Sequence, residues 1–295
     1  MTKKKSDYAS VVVPLAKKDI EQAGVLTPRE ARILVDMYYS TQTDRIRYGN
    51  QESALNKLNE PTEILNWFKV QAESVEEETR KALKRFAESQ PMSDWILGTH
   101  GIGPVLAAGL LANISMKYWH CEGKSNKKCS PENPCTASCC EKKVQTAGQL
   151  WRYAGLDPTV KWEKGQKRPW NSSLKKLCYL IGDQFMKQSA SEKCYYGHIY
   201  LARKAYEQER NNSGGNSELA KTLLPKYNPK TEAYKALSQG KLPDAQIVAR
   251  ARRYSVKMFL SHLHATWYKM EFGVDAPAPF AIAILGHAHY IEPPK

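Results

Sequence analysis

The chain has 295 residues, of which 42% are hydrophobic, and its 44 lysines and arginines exceed its 30 acidic residues to give a formal net charge of +14. This length is sufficient for two or three modules around at least one sizeable core. The positive surplus favours a polyanionic partner, because neutralising phosphates releases their condensed counterions. No window approaches the roughly 18 apolar residues of a membrane span, and the lysine-rich start lacks the apolar segment of a signal peptide. We therefore expect a cytoplasmic protein without a membrane partner.

The first elements predicted are a basic N-terminal arm over residues 1–26 and a long helix after it. Thr27 can cap this helix, Pro28 suits its first position, and Glu30 completes a capping box. A second long helix follows the break at Pro61. Both have apolar residues at three- and four-residue spacings, which is typical of amphipathic helices. Residues 27–92 are therefore predicted to form a long antiparallel helical hairpin, a coiled-coil arm suited to dimerisation.

The rest of the chain is predicted to form one helical domain over residues 93–272. Within it, residues 117–143 form a cysteine-rich insert, and residues 273–295 follow as a proline-containing C-terminal extension. Further helices are predicted over residues 146–154, 172–188, 192–210 and 244–272. No segment shows the alternating pattern of a strand. The fold class predicted is all-α.

A Gly-Ile-Gly turn at Gly101 to Gly103 precedes a helix that starts at Pro104. Such a turn lets the backbone approach a ligand closely, and amides at a helix N-terminus point toward an anion. This pattern predicts a helix-hairpin-helix in which Gly101 and Gly103 contact phosphate. The alternative is a structural turn that never contacts a nucleic acid.

The cysteine-rich insert offers candidate zinc ligands. A structural zinc requires four thiolate or imidazole ligands held by short loops. The ligands predicted here are Cys121, Cys129, Cys135 and Cys139. Their spacing is not that of the usual Cys-x-x-Cys knuckle, so an insert with unligated cysteines remains open. A closed four-ligand site would be structural and not catalytic.

Two basic segments are candidates for direct contact with a nucleic acid. Cations interleaved with tryptophans are suited to phosphate contact combined with base stacking. The first segment contributes Lys161, Lys164, Lys167, Arg168, Trp170, Asn171, Lys175 and Lys176, and the second, on the helix from residue 244, contributes Arg250, Arg252, Arg253 and Lys257. The alternatives are a loop whose tryptophans pack under the domain and a basic helix face that is merely solvated.

Catalytic patterns are missing from the sequence. It contains no catalytic triad, phosphate-binding loop or dinucleotide fingerprint. His262 and His264 are two residues apart on a predicted helix, so their side chains point in different directions. The sequence therefore predicts a protein without enzymatic activity.

Two segments carry a resemblance to known families. LGTHGIGPVLAAGLLANI at 97–114, followed by LWRYAGLDP at 150–158, resembles the C-terminal module of bridge-RNA-guided insertion-sequence transposases. Those transposases also have an N-terminal RuvC-like domain and a serine shortly after the Gly-Leu-x-Pro motif. Residues 1–60 are too short for such a domain, and residues 159–171 contain no serine. Both halves of the transposase chemistry therefore look absent.

The same module is similar to the Nop domain of box C/D guide-RNA particles. It also resembles the Tas proteins of tandem interspaced guide RNA systems, in a form that stands alone without a nuclease domain. This resemblance implies a homodimer that binds a small structured guide RNA, finds complementary target DNA by base pairing, and relies on any nuclease in trans. The alternatives are a compact transposase or strand-transferase that uses Ser172 or Ser173, and a sequence-independent binder of duplex DNA.

Overall fold

The computed structural model describes residues 8–121, 139–277 and 292, with side chains omitted for residues 119–141. These residues are predominantly helical, which confirms the all-α prediction at that level. The helices are α1 Lys17–Gln22, α2 Pro28–Asn56, α3 Glu63–Glu88, α4 Ser93–Gly98, α5 Pro104–Asn113, α6 Ala147–Tyr153, α7 Ser172–Lys187, α8 Tyr195–Asn212, α9 Ser217–Leu223, α10 Glu232–Ser238 and α11 Asp244–Phe272. Short 3₁₀ turns cover Ala23–Val25 and Leu224–Lys226. No helix in the described ranges combines the length and apolar character needed to cross a bilayer.

Residues of the described chain divide into two compact units. The first ends at Gly98 and also includes Ile102–Ile114, and the second comprises Thr99–Gly101 and the residues from Ser115 onward. The units therefore cut across the boundary that composition suggests between residues 92 and 93. Because α5 is apolar on all sides, its sequence does not indicate which helices it packs against.

The first unit is built on two long antiparallel helices, α2 and α3. The capping box predicted at Thr27 is present, since its hydroxyl accepts from the Glu30 amide at 3.2 Å and the Glu30 carboxylate accepts from the Thr27 amide at 2.8 Å. Ion pairs then join the two helices, and α5 packs against both of them with Val105–Asn113 buried.

The second unit is centred on α11, which packs against α6, α7 and α8. Its core is aromatic: the Phe185 ring lies 5.0 Å from that of Tyr196 and 5.7 Å from that of Phe259, between ring centroids. The Tyr196 hydroxyl is hydrogen-bonded to His262 Nδ1 at 3.0 Å, so this buried histidine has a structural partner. A smaller cluster of Ala220, Leu237, Leu242 and Ile247 connects the short helices α9 and α10 to the start of α11.

The cysteine-rich insert begins and ends as a β-ribbon, which the sequence does not predict. Strand β1, Lys117–Cys121, pairs antiparallel with β2, Cys139–Lys143, and the register places Cys121 opposite Cys139. Each strand has only five residues of mixed polarity, too few for an alternating pattern to stand out. Cross-strand pairing is a long-range event that satisfies the backbone groups at the base of the insert.

Candidate nucleic-acid interface

The two glycines of the predicted hairpin have different environments. Gly101 has φ +99°, and a Cβ added to it would lie 3.3 Å from Cδ1 of the buried Phe185. Gly103 caps α5 with φ −85°, and a Cβ there would meet no atom within 4 Å. The backbone conformation and the packing therefore both require a glycine at position 101. Position 103 is exposed, and neither its backbone conformation nor its packing requires a glycine. Phosphate contact by these residues stays a prediction.

The basic loop before α7 is ordered by its tryptophans. The Trp162 indole donates to the Gln166 carbonyl at 2.8 Å, and its ring lies 6.3 Å from that of Trp170. The Arg168 guanidinium lies 5.4 Å from the Trp162 ring, and Lys175 Nζ lies 3.9 Å from the Trp170 ring. Two of the predicted cations are thus positioned by aromatic faces, which hold a cation without neutralising it.

The Gly-Leu-Asp-Pro segment anchors this loop. Gly155 has φ +67°, and a Cβ there would come within 2.9 Å of both Trp170 Cγ and Lys175 Cδ. Asn171 caps α7 by accepting from the Leu174 amide at 2.9 Å, and its side chain donates to the Tyr153 hydroxyl at 2.9 Å. Asn171 is therefore a positioning residue as well as a predicted contact. The glycine at 155 allows the tryptophan to approach the backbone closely.

Three of the predicted lysines lie in the same loop, on either side of Trp162 and before Arg168. Lys161, Lys164 and Lys167 are exposed, and none forms an ion pair within the described ranges. Lys176 is exposed on α7, one residue beyond Lys175. These positions add positive charge around the tryptophans without a fixed geometry of their own.

Three cations from α7 and α11 form what we call the cationic face: Lys175, Arg253 and Lys257. Burial first, and then the charges of Arg168 and Arg253, hold the pKa of Lys175 below its ordinary value. Burial also holds the pKa of Lys257 below its ordinary value; the charge of Asp157 opposes this shift, and those of Arg253 and Arg203 add to it. Lys257 Nζ lies 5.0 Å from the Trp151 ring. None of the three forms an ion pair with a carboxylate among the described residues. Like charges gathered in this way make a favourable site for a polyanion.

Arg250, another arginine of α11, forms ion-pair and hydrogen-bond contacts within the second unit. Arg250 Nη1 lies 3.0 Å from Glu207 Oε2 and also donates to Asn216 Oδ1 at 3.2 Å. The Glu207 side chain is only 2% exposed and pairs with Arg203 as well, at 2.5 Å. Arg250 therefore belongs to a buried ion-pair network, although the sequence favours it equally with Arg253 as a nucleic-acid contact.

Arg252 has an intermediate role. Its guanidinium lies 4.3 Å from the Tyr179 ring, donates to the Tyr179 carbonyl at 3.2 Å, and comes within 3.8 Å of Asp183. These contacts hold Tyr179, a residue that is 64% exposed, at the edge of the cationic face. Tyr179 and Trp151 were not predicted from the sequence, although a tyrosine four residues after Lys175 on an amphipathic helix was a signal for Tyr179.

The serines considered as nucleophiles stand at the start of α7. The Ser172 hydroxyl accepts from Arg168 Nη1 at 3.2 Å. No hydrogen bond from Ser172 or Ser173 to a histidine or carboxylate is found in the part of the chain that the structure describes. A nucleophilic serine requires an adjacent base, and the enzymatic alternative stays untested.

Of the predicted zinc ligands, Cys129 and Cys135 lie outside the described residues. The backbone register brings Cys121 and Cys139 to opposite positions at the end of the ribbon. No group of three or more candidate metal ligands is found among the described side chains. The zinc site therefore stays a prediction. Cys178, which is not among the predicted ligands, is buried in α7, and burial raises the pKa of its thiol to about 12.

The cationic face and the tryptophan-bearing loop thus form the strongest candidate interface in the second unit. No protein-family model, curated protein or solved structure matches this chain. The assignment of function therefore depends on the residues and contacts described above.

Proposed function

We propose that the second unit binds RNA, and that the protein is the RNA-binding component of a guide-RNA ribonucleoprotein without a nuclease domain of its own. The observation that carries this proposal is the convergence of Lys175, Arg253 and Lys257: the first two line one cleft, the last two lie one turn apart on α11, and none forms an ion pair among the described residues. Lys175 and Lys257 also lie beside tryptophan rings. Cations near neighbours of the same sign are costly to a folded protein. A bound phosphate chain would remove that cost.

The aromatic residues favour RNA with unpaired bases over duplex DNA. Trp162 and Trp170 lie beside Arg168 and Lys175, and Tyr179 lies at the edge of the same face. Base stacking on aromatic rings is open to unpaired bases in loops, bulges and ends, whereas a duplex presents its backbone and groove edges. The mixture of rings and cations therefore suits a structured RNA with exposed loops.

Other parts of the proposal rest on the resemblance to Tas proteins. They are dimerisation through α2 and α3, a small structured guide as the bound RNA, base pairing of that guide with target DNA, and recruitment of any nuclease in trans. In such an assembly the guide would read sequence and the protein would recognise backbone shape and charge. A discrete small RNA that copurifies with the protein from expressing cells would support this part, and its absence would count against it.

The RNA-binding proposal is tested by comparing two triple variants with equal loss of charge. In one, Lys175, Arg253 and Lys257 are replaced by alanine; in the control, Arg80, Lys81 and Lys84 of α3 are replaced. The control cations each have a glutamate partner three or four residues away. Fluorescence anisotropy with a labelled RNA hairpin across a salt series gives the affinity and its salt dependence.

We expect the first variant to bind RNA far more weakly and with a shallower salt dependence. Each phosphate contact contributes about 0.7 to the slope of log K against log salt for a single strand, so three lost contacts lower it by about 2. The control should keep most of the affinity and slope. Equal weakening of both variants would show that net charge alone drives binding and would overturn the assignment of this face.

A further inference from the structure

A cleft of about 200 Å³ opens between α7 and α11 beside the cationic face. Its floor is mainly apolar and includes Leu156, Gly182, Ala249 and Val256. Lys175, Tyr179, Arg252 and Arg253 also line it, and Lys175, Tyr179 and Arg253 are exposed; we call these three the rim. The cleft therefore combines hydrocarbon surface with exposed cations.

Small residues on the facing helices shape the cleft. A Cβ on Gly182 would lie 3.0 Å from Val256 Cγ2, so the glycine allows α7 and α11 to approach closely at this point. Ala249, two turns earlier on α11, contributes only a methyl group to the wall. The cleft is therefore bounded by the close contact of α7 and α11 at Gly182 and by the small side chain of Ala249.

The rim is held in place and charged. Arg252 fixes Tyr179 through the contact with its ring at 4.3 Å and the hydrogen bond to its carbonyl at 3.2 Å. Lys175 is held over the Trp170 ring, and both Lys175 and Arg253 line the cleft. Neither cation has a carboxylate partner within the described ranges.

We propose that this cleft accepts one unpaired nucleobase of the bound RNA, with the flanking phosphates on Lys175 and Arg253. This inference rests on the proposed RNA-binding function and specifies where a base is held. The cleft is smaller than the roughly 300–1,000 Å³ of pockets that enclose a drug-sized ligand. It therefore suits a single flat ring system whose sugar and phosphates remain outside. The apolar floor provides packing and few hydrogen-bonding groups, so the pocket accepts different bases with little discrimination.

The experiment separates contact with a base from contact with the backbone. Ala249→Met fills the cleft without changing charge, and Ala202→Met, at an exposed position of α8, is its matched control. The probes are a labelled 12-nucleotide single-stranded RNA of mixed sequence and the same RNA with abasic sites throughout its central half. Thermal unfolding of each variant shows whether the substitution has disturbed the fold.

We expect Ala249→Met to weaken binding of the intact RNA about tenfold, which is within the range measured for loss of one stacked base. Binding of the abasic RNA should be unchanged by this substitution, and Ala202→Met should change neither affinity. Lys175→Ala combined with Arg253→Ala should weaken both probes to a similar extent.

Equal weakening of both probes by Ala249→Met, or no effect on either, would overturn the base pocket and leave RNA binding by the cationic face intact. The base pocket would also be overturned if the wild-type protein bound the two probes with equal affinity. If the wild-type protein binds neither probe at low salt, the RNA-binding function itself is overturned, and the pocket with it. A 2-aminopurine placed at each position in turn gives a second readout, because at one position its fluorescence should change on binding to wild type and lose that change in Ala249→Met.

Discussion

Cations on α3 form ion pairs with neighbouring glutamates, whereas those on the cationic face form none within the described ranges. On α3, Arg80 lies 2.6 Å from Glu77 and Lys81 lies 2.6 Å from Glu78, each pair separated by three residues. On the cationic face, Lys175 and Lys257 lie against tryptophan rings instead. Pairs within one helix turn neutralise each other locally and contribute only a few tenths of a kcal/mol, whereas an aromatic ring leaves the positive charge available to a ligand.

The same contrast occurs within one helix. Arg250 and Arg253 are three residues apart on α11, yet Arg250 is paired with the buried Glu207 and Arg253 has no ion-pair partner among the described residues. A count of basic residues treats the two as equal. A surplus of positive charge therefore indicates a binding site only where the fold leaves cations without ion pairs.

The largest expected effect comes from removing the counter-ion of the structural network. Glu207→Ala should lower the free energy of unfolding by about 3 kcal/mol or more, because it leaves Arg203 and Arg250 close together in a largely buried site without their shared carboxylate. Chemical denaturation measures this loss. Lys175→Ala should show the reverse pattern: its stability should be nearly unchanged, and its RNA binding should be weaker.

Stability of Glu207→Ala close to that of wild type would contradict the structural role of the network. So would a Lys175→Ala variant that unfolds more readily and binds RNA normally. Either result would erase the distinction between paired and unpaired cations on which the comparison depends.

A smaller effect is expected at the hairpin. Gly101→Ala should cost about 1–3 kcal/mol, because alanine rarely adopts φ +99° and its Cβ would press on Phe185. Gly103→Ala should change stability by no more than about 0.5 kcal/mol. Thermal and denaturant unfolding of the pair would check this difference.

Gly103→Ala also sharpens the assignment of the interface, because the variant should remain folded. We expect its RNA affinity to be within about twofold of wild type, since an added methyl group there costs little and the cationic face dominates binding. A large loss of affinity with unchanged stability would instead support the phosphate contact that the glycine motif predicts.

The smallest effect expected is a dependence of RNA binding on alkaline pH. The pKa values of Lys175 and Lys257 lie below that of an ordinary lysine, mainly because of burial, and phosphate binds the protonated form. Affinity should therefore be full at neutral pH and decline as the pH rises through these lowered pKa values. Titrations between about pH 7.5 and about pH 9.5 should therefore show a progressive loss of affinity.

Lys175→Arg combined with Lys257→Arg provides the control for this dependence. Arginine keeps its charge throughout that range, so the double variant should bind equally well at both ends of it. An alkaline loss that persists in the double variant would have to come from other groups. Anisotropy titrations in buffers of matched ionic strength would distinguish the two.

Much of the secondary structure was predictable from the sequence, because its signals lie within a few residues of each other. The capping box at Thr27 marks the start of α2, and the polar residue before Ser172 marks that of α7. The helix predicted over residues 244–272 has the bounds observed for α11.

The candidate site was predictable only in part, because its composition is local and its geometry is not. The sequence identified the basic loop, and a helical pattern indicated that α11 presents a cluster of arginines. It could not indicate that Glu207, 43 residues before Arg250, would neutralise one arginine and leave another free of ion pairs. It also could not place Leu156 beside α7 and α11, since those contacts form only when the helices pack.

By itself, the sequence determined a predominantly helical chain with a surplus of positive charge and the positions of most helix ends. Helical periodicity and capping are properties of neighbouring residues, and they survive whatever the rest of the chain does. Tertiary structure decided the short β-ribbon, the packing of α5 on α2 and α3, and which cations lack a carboxylate. Those outcomes depend on pairing between residues far apart in the chain, and the composition of a single segment carries no information about its distant partner.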